Sequence, residues 1–217
     1  MRHFLDLTVG AAAARHQRRR GSLDNYRRMV SAPEPLGLGE LEVEFLRRRD
    51  SFYLATVTED GWPYVQHRGG PAGFVRVLDP THLAWADRTG NRQYLTAGNL
   101  DRDSRVSIIA VDYPNRTRLK VLGHARFDPE PDAVTLEQLG IDGRLEGLVT
   151  VEVLAFDWNC PKFITPRFTA DEVRQATEPL RARIAELETQ LAGATVGVIG
   201  PGSRPRHRRI PESELPS

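Results

Sequence analysis

A single cysteine, Cys160, is present among 217 residues, so no intrachain disulfide can form, which fits a reducing compartment. No run approaches the roughly 18 consecutive apolar residues that a membrane-spanning helix needs. The opening MRHFLDLTVGAAAARH lacks the charge order of a secretory leader, because Asp6 interrupts a short apolar run and the arginines follow it. A cytoplasmic protein with no membrane partner is expected. A large excess of charge of one sign is missing too. Thirty Lys and Arg against 29 Asp and Glu leave a net +1, too little for a body that grips nucleic acid throughout. Also absent are a Gly-x-Ser-x-Gly elbow, a phosphate loop ending in Gly-Lys-Ser/Thr, a His-Glu-x-x-His pair and any paired cysteine motif. The six histidines are scattered, and His67, His82 and His124 lack the spacing of metal ligands, so no metal site is expected.

What is present is a series of short alternating strands between Phe52 and Phe127. FYLATVTED ends in the turn pair Asp60-Gly61, a strong hairpin signal. WPYVQHR, FVRVLD and HLAWAD follow, then RVSIIAVDY and RLKVLGHARF with a turn at Pro114-Asn115 between them. LEGLVTVEVLAFDWN gives one more strand, in which Val149, Val151 and Val153 alternate with Thr150, Glu152 and Leu154. The pattern predicts a mainly β domain with flanking helices, an antiparallel barrel or sandwich.

The flanks read as helical. Residues 10–20 form one helix, Ser22 caps a second through Met29, and a third opens near Gly39 with Leu38, Leu41 and Phe45 on its inner face. A short helix is expected over 132–139. Thr169 to Glu172 has the spacing of a capping box, and Pro179 is expected to break the helix that follows, with Thr177 capping a second piece. In that piece Leu180, Ile184, Leu187 and Leu191 form an amphipathic stripe. The chain therefore divides into an N-terminal helical segment (1–39), a barrel (40–168), C-terminal helices (169–193) and a basic tail (194–217) expected to be disordered.

Two polar runs interrupt the strands. In Gln66-His67-Arg68-Gly69-Gly70-Pro71, Gln66 and Arg68 fall on one face and His67 on the other, while the glycines let a flat ligand approach the backbone. In Asp87-Arg88-Thr89-Gly90-Asn91-Arg92-Gln93, a guanidinium stands at the start of an expected helix, QYLTAGNL, whose free N–H groups suit an anion. Arg118 and Lys120 share one strand face. Asp87 and Asp112 at strand ends could act as an acid/base pair, but such aspartates more often form turns.

The segments ATVTEDGWPYVQHRGGPAGFVRVLD, ADRTGNRQYLTAGNLDRDSRVSI and DYPNRTRLKVLGHARF together resemble the FMN-binding split β-barrels of the pyridoxamine 5'-phosphate oxidase-like superfamily, over roughly residues 40 to 170. The resemblance implies a homodimer with FMN in a cleft between two subunits. It places Gln66, His67, Arg68, Gly69, Gly70 and Pro71 along the flavin, Ala86 and Asp87 at its phosphate or ribityl chain, Asn91, Arg92 and Gln93 at the phosphate, and Arg118 facing the flavin from one subunit. It also implies departures. The oxidase has an arginine at the place of Gln66, a lysine near Pro71 and a lysine at Gln93, while its C-terminal Trp and Arg have only loose counterparts in Trp158 and Arg167. Pyridoxamine phosphate is therefore not the expected substrate. The leading expectation is an FMN-dependent oxidoreductase that takes electrons from NAD(P)H or another small donor. The alternatives are a non-catalytic flavin- or haem-binding sensor and a deazaflavin-dependent reductase.

Overall fold

The computed structural model describes residues 1–30, 33, 35–159 and 161–196, which fall into two compact units, Met1–Arg167 and a second from Phe168 on. In the first unit three short helices come first: α1 (Phe4–Thr8), α2 (Ala11–Arg20) and α3 (Leu23–Val30). The first of these, invisible in the sequence pattern, is a five-residue turn held by His3, whose ring Nδ1 accepts from the Leu5 N–H at 3.2 Å. Helix α2 ends where Gly21 takes a left-handed φ of 74°, the usual glycine stop.

Helix α4 (Glu40–Arg47) opens at Gly39, but its inner face differs from the expected one. Leu41 is 68% exposed, whereas Leu38, Glu42 and Leu46, spaced by four, are buried. The carboxylate occupying the middle of that line has partners: Glu42 accepts from the Gly39 N–H at 2.9 Å and from the Trp158 indole N–H at 2.6 Å. A carboxyl side chain thus occupies the inner face where Leu41 was expected, and its hydrogen bonds offset the cost of burial.

The strands are β1 (Ser51–Val57), β2 (Pro63–Gly69), β3 (Arg76–Asp79), β4 (His82–Asp87), β5 (Arg105–Asp112), β6 (Thr117–Asp128) and β7 (Gly147–Asn159), with α5 (Leu95–Arg102) between β4 and β5 and α6 (Ala133–Gln138) between β6 and β7. All seven strands foreseen from alternation are present. They form one antiparallel sheet in the order β2-β1-β5-β6-β7-β4-β3.

The sheet is strongly curled. Strands β1 and β4 are four steps apart in that order, which in a flat sheet would separate them by about 19 Å at the usual strand spacing. Instead the Phe52 ring on β1 lies 5.0 Å from the Trp85 ring on β4, edge to face. Likewise Arg68 on the outermost strand β2 bonds to Asp87 on β4. The two ends of the sheet face each other through side chains and not through a ladder. The interior is filled by Leu54, Leu83, Trp85, Leu119, Val121, Val149 and Val151, each at most 1% exposed. Fully burying such a side chain stabilises by about 1.5–3 kcal/mol. Helix α5 is pinned on this body by a buried bond from the Asn99 amide to the Thr56 hydroxyl at 2.8 Å.

The second unit contains α7 (Ala170–Val196). Its start matches the capping box, with the Glu172 N–H donating to Thr169 Oγ1 at 3.1 Å and the Thr169 N–H to Glu172 Oε2 at 2.7 Å. The expected break is absent: Pro179 lies inside one continuous helix. Thr177 is an interior residue whose hydroxyl donates back to the Val173 and Arg174 carbonyls, not a cap. Cys160 and residues 197–217, including nearly all of the basic tail, lie outside the described residues. No helix among the described residues is long and apolar enough to cross a membrane.

Candidate functional site

Two clefts adjoin at the Arg68–Asp87 pair. The first, about 290 Å³, is bounded by His67 to Gly70 at the end of β2, by Phe74 and Arg76, by Trp85 to Thr89 on and after β4, and by Gly140 and Ile141. The second, about 230 Å³, runs from Tyr64, Gln66 and Arg68 across Asp87 and Arg88 to the loop at Gly90 to Gln93, the start of α5, and Glu146. Of the residues singled out in the sequence, Gln66, His67, Arg68, Gly69, Gly70, Ala86, Asp87, Asn91, Arg92 and Gln93 line one cleft or both. Pro71 and Arg118 line neither. The looser candidates Trp158 and Arg167 are also elsewhere, Trp158 against Glu42 and Phe45 and Arg167 over the Tyr113 ring at 5.0 Å.

The wall of the first cleft follows from strand alternation. On β2, Gln66 and Arg68 occupy half-buried positions and His67 an exposed one. Gly70 has a steric reason to be glycine, since a Cβ there would stand 2.8 Å from the Phe74 side chain. Arg68 Nη1 donates to Asp87 Oδ1 at 2.5 Å, with both side chains about one-sixth exposed. Burial pushes the Asp87 carboxyl above its ordinary value despite the neighbouring guanidinium, and the nearby Glu146 adds to the rise.

Among the described residues, three buried side-chain N–H groups have no hydrogen-bond partner: Arg68 Nε, Arg76 Nε and Trp85 Nε1. All three side chains line the first cleft. Unsatisfied buried donors are uncommon and costly in folded proteins. The atoms themselves have almost no accessible surface, so they stand behind the cleft wall.

The second cleft is more evenly charged. Arg92 donates to Glu146 at 3.4 Å, and the Tyr94 hydroxyl donates to the same carboxylate at 2.9 Å. Bonds from Tyr94 and Thr89 and the charge of Arg92 hold Glu146 below the usual carboxylate range, and the Tyr94 phenol is pushed up in return. Helix α5 begins at Leu95, two residues later than expected, after Tyr94 at φ 51°. Gln93 therefore precedes the helix, and its N–H and side chain bond to the Asn91 side chain at 3.2 and 3.1 Å. Arg92 is also left-handed, at φ 57°. Two such non-glycine residues so close together cost of order 1–3 kcal/mol each and are typical of functional loops.

Asp87 and Asp112, weighed earlier as an acid/base pair, are each engaged by an arginine. Asp112 accepts from Arg49 at 2.8 Å and from the Asn115 backbone and amide, as a turn-forming aspartate does. Glu146 was not foreseen. It reaches the cleft because its N–H bonds to the Asp87 carbonyl at 2.7 Å where β4 meets β7, a pairing between segments far apart in sequence. Among the described residues no group of three or more His, Cys, Asp or Glu side chains could hold a metal ion.

Residues 38–142 match the family model for pyridoxamine 5'-phosphate oxidase. Among solved structures, a pyridoxamine 5'-phosphate oxidase-like protein of Lactobacillus delbrueckii is 29% identical, with 56% of this chain and 93% of that one covered and a TM-score of 0.45. HupZ of Group A Streptococcus is 17% identical over 56% of this chain and 99% of its own, with a TM-score of 0.46. An FAD binding protein of Mycobacterium smegmatis is 17% identical over 57% and 96%, with a TM-score of 0.41. No curated protein matches the chain.

Proposed function

Because the chain belongs to the pyridoxamine 5'-phosphate oxidase-like split-barrel superfamily, we propose that its two adjoining clefts hold FMN and that it is an FMN-dependent oxidoreductase acting on a small molecule. The observation that carries this reading is that Gln66, His67, Arg68, Gly69, Gly70, Ala86, Asp87, Asn91, Arg92 and Gln93 line the two adjoining clefts. The isoalloxazine ring presents carbonyl oxygens and imine nitrogens that guanidinium and backbone N–H groups along such a wall can meet. The phosphate falls in the second cleft, where Arg92, with Arg88 nearby, supplies cationic donors.

Bound FMN would supply the redox chemistry; the chain supplies position, charge and exclusion of water. Arg68, fixed by Asp87, would offset negative charge on the ring. Phe74 and Trp85 would provide apolar walls, and Arg92 would hold the phosphate in place of its bond to Glu146.

Each cleft is at or below the lower end of the roughly 300–1,000 Å³ of ordinary small-molecule sites. A second copy of the chain completing the pocket fits that size, and Arg118, which lines neither cleft of its own chain, would then face the neighbour's flavin. The test is the absorbance spectrum and mass of whatever leaves the gently purified protein on denaturation. FMN supports the reading, and steady-state oxidation of NADH or NADPH then identifies an enzyme. Haem, a deazaflavin, or a colourless protein that takes up no FMN in titration overturns it.

A further inference from the structure

Along α7, side chains recur at alternating steps of four and three: Val173, Thr177, Leu180, Ile184, Leu187 and Leu191. Such alternation is a seven-residue repeat, with Val173, Leu180 and Leu187 at the d positions and Thr177, Ile184 and Leu191 at the a positions. Its five apolar members are all exposed, from 41% at Leu187 to 67% at Leu191. A continuous exposed apolar stripe on a helix marks an interaction surface.

We propose that α7 pairs with α7 of a second copy as a parallel two-stranded coiled coil. The residue types choose this occupant. Ile184 at a between Leu180 and Leu187 at d is the combination that favours two parallel strands. Charge agrees with it. In a parallel pair, the residue before an a position faces the residue after the next d position on the other helix, which sets Arg183 against Glu188 of the second copy, twice by symmetry.

Within its own helix Arg183 bonds to Glu186 at 2.5 Å, with both side chains more than half exposed. Such a surface pair contributes little, so exchanging it for a contact across the seam costs little. The Thr177 hydroxyl is already satisfied by the Val173 and Arg174 carbonyls, so it asks for no partner across the seam. Pro179 stands at a c position, off the seam, and the stripe runs past it without interruption.

Disulfide trapping in the full-length chain, in a Cys160→Ser background under mild oxidation, tests the proposal. Leu187→Cys places the two thiols opposite each other in a parallel pair, within ordinary disulfide reach. Glu186→Cys, one residue away, points outward and is the control. The covalent dimer is expected to form at least tenfold faster with Leu187→Cys. Equal rates overturn the proposal, and a barrel dimer without helix pairing gives that result. Trapping only in a mixture of Leu187→Cys and Ile184→Cys chains overturns it too, because that is the antiparallel arrangement. Should the cysteine weaken the seam, charge exchange gives a second reading. Arg183→Glu is expected to slow trapping and Arg183→Glu with Glu188→Arg to restore it; no response to either change overturns the assigned register. No cofactor enters these measurements, so they stand apart from the flavin reading.

Discussion

Arg68 on β2 and Asp87 on β4 meet at 2.5 Å although their strands are five positions apart in the sheet. Their pairing both closes the curl of the sheet and forms the partition between the two clefts. Asp87→Asn would leave the guanidinium without its counter-charge. Breaking a fully buried pair costs about 3–5 kcal/mol; with about one-sixth of each side chain exposed, a loss of about 1–3 kcal/mol is expected. Urea unfolding checks it, and an unchanged midpoint would show that solvent already screens the pair.

If the second cleft takes the FMN phosphate as proposed, Arg92 and Glu146 set the terms of its binding. Arg92→Ala is then expected to lower FMN affinity about tenfold to a hundredfold, the range set by loss of charge-assisted bonds. Glu146→Gln removes the competing carboxylate and is expected to tighten FMN about tenfold. Trp85 lines the neighbouring cleft, so quenching of tryptophan fluorescence gives the titration. If Glu146→Gln weakens binding, the carboxylate assists the ligand and the competition does not exist.

Acid should act through Asp112. Burial pushes this carboxyl up, but the Asn115 N–H and amide together with Arg49 pull it below its ordinary value of 3.8. A carboxylate depressed on folding contributes stability that is present above the unfolded value and lost as pH falls through the folded one. The urea midpoint of the native chain is therefore expected to fall below about pH 4. In Asp112→Asn that part of the acid limb flattens, at the cost of lower stability at neutral pH.

Gly123 has backbone behind it. A Cβ there would stand 2.3 Å from the Glu152 carbonyl oxygen and 2.8 Å from Val151, beside the irregular register between Leu122 and Gly123. Because the blocking atom is main chain, the strand must shift. Gly123→Ala should cost about 1–3 kcal/mol or more, read as a lowered thermal midpoint, whereas Gly98→Ala, with open space around it, should not.

Strand alternation made all seven strands legible, because half-buried ladders leave a period of two in the sequence. The runs from Gln66 and from Asn91 stood out as candidates because each gathers polar side chains beside glycine, and both line the clefts, although Gln66 to Gly69 continue the alternation of β2. What escaped was set by distant contacts. Glu42 reads as a surface residue until Trp158 supplies its hydrogen bond, and Glu146 belongs to no local motif. Pro179 is a reliable breaker by local rules, yet the helix continues through it. The start of α5 was misplaced because Tyr94 takes a left-handed backbone that no tyrosine advertises.

The pairing of β4 with β7 has a consequence for how the protein comes into being. Strand β4 ends at Asp87, and its partner β7 begins only at Gly147, after two further strands and two helices. The second cleft lacks its Glu146 edge until that non-local pairing closes, and such long-range contacts form late and slowly. A ligand held there binds only the completed fold and draws the equilibrium toward it by mass action. Any ligand of the second cleft would thus stabilise the chain only after β4 and β7 have paired.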